Sequence, residues 1–148
     1  MRILAVDPGE KRIGLAISDP TGTIARPLTV VKHESREKDA ENIAAIAQSE
    51  EAAMIVVGWA LDSEGEINHS ARKSQRLAVV IETKTALPVE MWDESGTTQK
   101  AVQSRIAMGV SRKKRKGHLD DVAASILLQD FLINNEARLK GGEDLNEV

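Results

Sequence analysis

The chain contains no cysteine and no tyrosine. Without cysteine it can form no disulfide, present no thiolate nucleophile and build no cysteine-based zinc site. Its aromatic side chains are Trp59, Trp92 and Phe131 alone. The core must therefore be packed from Val, Ile, Leu and Ala, and few platforms exist on which unpaired bases could stack. No apolar run approaches the roughly 20 residues that span a bilayer. The N-terminus reads as a strand rather than a signal peptide, so a cytoplasmic protein without membrane attachment is expected. The histidines His33, His69 and His118 form no metal-binding doublet. A strong charge of one sign is missing too: the net charge is −3, which by itself does not suggest nucleic acid.

At 148 residues the chain suits one domain, large enough to bury roughly two-thirds of its unfolded surface. Residues 1–140 are expected to form that domain, with 141–148 a frayed acidic tail carrying Glu143, Asp144 and Glu147. Residues 3–6, 13–18 and 23–31 read as strands joined by short turns, an antiparallel meander. Residues 35–51 read as a helix, with Ile43, Ile46 and Ala47 at helical spacing. Residues 53–57 form a continuous apolar run ended by Gly58, the pattern of a buried central strand. A helix over 67–84, a strand over 88–92, a helix over 97–110 and a last helix over 122–139 complete the order. Three antiparallel strands followed by alternating strands and helices predict an α/β fold. Its mixed five-stranded sheet should carry helices on both faces.

The opening residues carry the strongest chemical signal. An apolar run, Ile3-Leu4-Ala5-Val6, ends on Asp7, followed at once by Pro8-Gly9. Pro8 biases Asp7 away from the α region, so the acid should finish the strand extended. A carboxylate stranded among apolar residues needs a partner, and a bound cation is one. Two further acidic positions lie at element ends: Asp93-Glu94 after the fifth strand and Asp120-Asp121 at the start of the last helix. Sites in open α/β sheets form outside the carboxyl ends of the strands. Clustered carboxylates suit the hard cations Mg²⁺ or Mn²⁺, which can serve phosphodiester hydrolysis. The two later acidic positions also have ordinary structural uses, whereas Asp7 is the hardest to explain structurally. Asp120 or Asp121 could cap a helix, and Asp93-Glu94 could be turn residues.

The cations are concentrated. Arg112, Lys113, Lys114, Arg115 and Lys116 are consecutive, with His118 close behind. Mutual repulsion makes such a block a solvated loop. Its position just ahead of Asp120 would let it hold phosphates without reading sequence. Gly9 and Gly14 also suit a phosphate-binding hairpin like that of actin-like ATPases, but the chain is too short for their two-domain body. A small nucleotide-binding protein stays open as a reading.

Taken in order, these motifs resemble the YqgF/RuvX family, whose members are named as nucleases of precursor 16S rRNA and as Holliday junction resolvases. The resemblance rests on Asp7-Pro-Gly-x-x-Arg12-Ile-Gly-Leu-Ala-x-Ser-Asp19-Pro20, on Ile55-Val-Val-Gly58, on Trp92-Asp-Glu94 with Thr97-Thr98, and on Asp120-x-x-Ala-Ala-x-Ile-Leu-Leu-Gln129. It covers nearly the whole chain, about residues 1–132. It implies an RNase H-like fold and a metal-binding triad of Asp7, Glu94 and Asp120, with Asp120 chosen over Asp121 by counting back from Gln129. It further implies that Arg12 and the 112–116 block position a nucleic-acid backbone, and that the substrate is the 5′ end of precursor 16S rRNA. Junction DNA is the alternative substrate, and a weakly catalytic nucleic-acid-binding factor the alternative role. Such a protein would act as a monomer or a homodimer. The chain departs from the family pattern at Trp59-Ala60, where an apolar residue and proline are usual. It departs again at Ser95-Gly96, where arginine and an apolar residue are usual.

Overall fold

A computed structural model describes residues 1–60, 64–94 and 119–141, with side chains in the last stretch from Val122 onward. The strands are β1 (Ile3–Pro8), β2 (Arg12–Ser18), β3 (Ala25–Lys32), β4 (Met54–Trp59) and β5 (Val89–Asp93). The helices are α1 (Arg36–Ser49), α2 (His69–Lys84), α3 (Leu119–Asn134) and α4 (Glu136–Lys140). The helix expected over 97–110 and the basic block lie outside the described residues.

The strands form one sheet in the order β3-β2-β1-β4-β5. The first three pair antiparallel, whereas β1, β4 and β5 run parallel. The mixed sheet expected from the element order is therefore the one observed. Its parallel members end at the same edge, and that edge is where Asp7 lies.

Strict alternation along the strands divides the core into two layers. Leu4, Val6, Leu15, Ile17, Ile55 and Val57 pack on Ala40, Ile43 and Ala47 of α1 and on Leu77, Ala78 and Ile81 of α2. Ile3, Ala5, Ala16, Met54 and Val56 face the opposite way, onto Ala124, Leu127, Leu128, Phe131 and Leu132 of α3. With so few aromatics, Phe131 is the largest fully buried side chain. Trp92 meets it edge to face, with ring centroids 5.3 Å apart.

Element ends follow side-chain chemistry. Ser35 caps α1 by accepting from the Lys38 N–H at 3.1 Å. Asn68 caps α2 by accepting from the Ala71 N–H at 2.8 Å, which sets its start later than the apolar pattern suggests. The sequence pattern predicts a last helix unbroken to residue 139, yet α3 stops at Asn134 and α4 begins at Glu136. Asn134 and Asn135 turn their side-chain amides onto the Asp130 and Phe131 carbonyls, at 2.8 Å each. Such local bonds compete with the helical ladder. In the β2–β3 turn, partial burial works against the Asp19 carboxylate. Bonds from the Ile24 N–H, the Thr21 hydroxyl and the Thr23 N–H outweigh it and lower the pKa to about 2.

Two sets of contacts clamp α3 to the sheet. Gln129 accepts from the Ala25 N–H and donates to the Thr23 carbonyl, both at 3.0 Å. The Trp92 Nε1–H donates to Asp130 at 2.9 Å. Leu127 reaches Gly58, Asp130 reaches Trp92, and Arg138 reaches Glu90 at 3.0 Å. Gly58 lies near the carboxyl end of β4, whereas Ala25, bound by Gln129, lies at the opposite end of the sheet beside Ser18 and Ile3, so the partners of α3 recede from the carboxyl ends as the helix advances. Its N-terminal turn, which contains Asp120, is thus carried toward the edge where Asp7 lies.

Candidate functional site

Each acid reaches the site by a different local rule. Asp7 follows Ile3 and Ala5 on alternate positions, so it belongs to the α3 face of β1. β1 continues through Asp7 to Pro8, which pairs with Ile13 on β2. The β4 partnership ends earlier, at Val6 and Val57. Pro8, which has no N–H, is therefore asked for no bond on that side. The next residue closes the hairpin, with the Gly9 N–H donating to the Arg12 carbonyl at 2.9 Å. A Cβ on Gly9 would stand 2.5 Å from that oxygen, which is why the turn takes glycine.

Glu94 lies directly after β5, two residues beyond Trp92, whose indole packs against the α3-side core. Its carboxyl is hydrogen-bonded to Asp7. Burial, the charge of Asp7, that hydrogen bond and the nearby charge of Asp93, in that order, push the Glu94 pKa up to about 8. At neutral pH Glu94 therefore holds a proton and shares it with Asp7. Two carboxyls brought together out of water cannot both ionise cheaply, and a cation between them removes the conflict.

Gly58 stands between the two acids. It occupies the α3 face of β4, after Met54 and Val56, and pairs with Trp92. A Cβ built there would lie 2.9 Å from both Cδ and Oε1 of Glu94 and 2.6 Å from Cδ2 of Leu127. The sequence marks Gly58 as the end of a strand and of a family motif, with no role toward the acids. The signal that could have found it is a glycine level with acids on both flanking strands.

The remaining positions fall as follows. Arg12 is exposed at the turn end of β2, on the face of Asp7 by alternation with Gly14 and Ala16. Asp120 sits in the first turn of α3, seven residues ahead of Leu127 and hence on the same helical stripe. Its side chain lies outside the described residues, as do Ser95, Gly96 and all of Arg112, Lys113, Lys114, Arg115 and Lys116. Among the described residues no three His, Cys, Asp or Glu side chains form a metal-holding group. Asp7 and Glu94 are the pair the fold brings together. Sequence reasoning also misses a bond between His33 Nδ1 and the buried Asp39 at the start of α1. Asp39 additionally accepts from the Glu34 N–H at 3.0 Å, so its role there is to fix the β3–α1 connection.

Sheet order, strand directions and the face covered by α3 define an RNase H-like fold of the resolvase type. Thermus thermophilus RuvC, solved in complex with a Holliday junction substrate, superimposes with a TM-score of 0.59 over 90% of this chain and 95% of its own, at 19% identity. The chain belongs to the family described as RuvX, Holliday junction resolvase, whose pattern matches residues 1–134. Two relatives carry the name "Putative pre-16S rRNA nuclease". The one from Thermoanaerobacter pseudethanolicus is 39% identical, over 89% of this chain and 96% of its own. The one from Halothermothrix orenii is 38% identical, over 95% of this chain and 100% of its own. With its family, the protein is an enzyme that hydrolyses phosphodiester bonds. No helix among the described residues is long and apolar enough to cross a membrane.

Proposed function

We propose that the protein is a divalent-metal-dependent nuclease that processes the 5′ end of precursor 16S rRNA, with Asp7, Glu94 and Asp120 holding Mg²⁺ or Mn²⁺. The observation that carries this reading is the Asp7–Glu94 pair, two carboxyls brought together over Gly58 at the carboxyl edge of the sheet. The donor set is all oxygen, which fits a hard cation. When bound, such an ion supplies Lewis acidity toward the phosphodiester and offsets the charge of its oxygens.

The chain's own residues do the rest. Glu94, as an ionised carboxylate, and Asp7, fixed in extended backbone with its carboxylate held in one direction, would be ligands to the cation. Asp120 is supplied from the first turn of α3, whose position is set by the Gln129 and Asp130 bonds. Arg12 and the 112–116 block hold the phosphate backbone of the nucleic acid. Residues 1–140 act as one cytoplasmic domain to which the 141–148 tail adds nothing essential.

Single-turnover cleavage with Mn²⁺ tests the substrate. RNA bearing the 5′ extension of 16S rRNA should be shortened, and excess EDTA should stop the reaction. A four-way DNA junction cut in preference to the RNA would move the protein to the second reading, a junction resolvase, which the family description favours. Binding of either substrate without cleavage would leave only a nucleic-acid-binding factor. One site suffices to trim an end, whereas a two-fold junction calls for a homodimer, so the solution mass should be that of a monomer for the first reading.

The basic block gives an independent prediction. If its cations neutralise phosphates, the slope of log affinity against log salt should be reduced when Arg112, Lys113, Lys114, Arg115 and Lys116 are all replaced by neutral residues. The reduction expected is about 0.7 for each single-strand phosphate that is no longer neutralised. An unchanged slope would return the block to plain solvated surface.

A further inference from the structure

We propose that Gly58 is the positioning residue of the acid pair: its missing side chain is the slot in which the Glu94 carboxyl lies to reach Asp7. The inference rests on the metal-site reading above for its catalytic meaning, but its geometry stands apart from it.

Neighbouring strands lie about 4.8 Å apart, so β1 and β5, on either side of β4, are separated by about twice that. An acid from each can meet only by passing over β4. The sheet register puts Gly58 at the crossing. Val6 pairs with Val57, so Asp7 is level with Gly58, and Gly58 itself pairs with Trp92, two residues ahead of Glu94. All three positions lie on the α3 face. Any side chain at position 58 would occupy the path, and even a methyl group would come within 2.9 Å of Glu94 Cδ and Oε1.

The collision cannot be relieved by moving the strand. Trp92, opposite Gly58, is held by its bond to Asp130 and by its edge contact with Phe131. Glu94 ends in a flexible carboxyl, so the carboxyl is what yields, away from Asp7. The second clash is with Leu127 Cδ2 at 2.6 Å, also a side-chain tip but one buried in the core. Gly58 therefore has two separable effects: it admits α3 through Leu127, and it admits the carboxyl.

Two variants separate them. Gly58→Ala meets both neighbours, whereas Gly58→Ala with Leu127→Ala removes the helix clash and leaves the clash with Glu94. Mn²⁺ affinity by calorimetry should fall roughly 10- to 100-fold in Gly58→Ala, the usual loss when support for a ligand is removed. The double variant should stay as weak, even where its thermal unfolding shows the helix accommodated. In crystals of the metal-free protein, the Glu94 carboxyl should lie against Asp7 in wild type and be turned away from it in both variants. Recovery of Mn²⁺ binding in the double variant would overturn the proposal and assign Gly58 to helix packing. So would a Glu94 carboxyl that still reaches Asp7 in both, or failure of both to fold. If wild type binds no Mn²⁺, the metal-site reading fails, and the position of the carboxyl alone decides the role of Gly58.

Discussion

Asp7→Asn protein should cleave its substrate at least roughly a thousandfold more slowly than wild type while keeping its fold. The size follows from removing a direct metal ligand, where loss of mere ligand support already costs about 10- to 100-fold. Asparagine matches aspartate in shape, so β1 keeps its register with Gly14. Its side-chain carbonyl can still accept the hydrogen bond of a protonated Glu94. What disappears is the charge. In metal-free protein the stability change should therefore depend on pH. Near pH 4.5, where Glu94 keeps its proton in either protein, the substitution should be nearly neutral. As pH rises toward 8 the variant, lacking the Asp7 charge, should lose less stability than wild type and remain the more stable one above it. Single-turnover cleavage with Mn²⁺ and urea unfolding with EDTA, each at two pH values, check both halves. Full cleavage by Asp7→Asn protein would end the proposed mechanism.

Metal-free wild type should lose stability as pH rises from about 4.5 to about 8, the ordinary and the folded values of Glu94. Within that window the folded state keeps a proton that the unfolded chain has released, so deprotonation favours unfolding. The contribution of Glu94 is fully present below the lower value, fades between the two, and is absent above the upper one. Its size should reach a few kcal/mol, since each unit of difference is worth about 1.4 kcal/mol. Glu94→Gln keeps a hydrogen-bond donor toward Asp7 and has nothing to titrate, so its stability should be flatter across the window. The cation shows the opposite trend. It competes with the proton, so Mn²⁺ should bind more tightly as pH climbs toward 8. Urea unfolding with EDTA at several pH values separates the two proteins. Parallel pH profiles for wild type and Glu94→Gln would show that the Asp7–Glu94 proton does not contribute.

Much of the fold was legible because its signals are local. The apolar runs over residues 3–6 and 53–57 marked strands, the second of them a buried central one. Helical spacing of Ile43, Ile46 and Ala47 marked the first helix, whereas the caps at Ser35 and Asn68 emerged only from the structure. Asp7 stood out because an acid between an apolar run and Pro-Gly has little structural use. The break after Asn134 was not legible, since asparagine amides turn onto their own helix only where solvent and packing leave them no better partner. Nor could the sequence separate Asp93 from Glu94 except by resemblance. Alternation along β5 sends Asp93 to the face opposite Trp92, while Glu94 lies just past the strand end and folds back over Gly58.

By itself, then, the sequence determined the order of the elements, the burial of the central strand before Gly58, and the family. Those follow from spacing within a few residues and from short motifs read in line. Only the tertiary structure decided that Asp7 and Glu94 meet, because that depends on β4 lying between β1 and β5 and on what is absent from its surface. A side chain announces itself in a sequence. The space left by Gly58 has meaning only once the strands on either side are known.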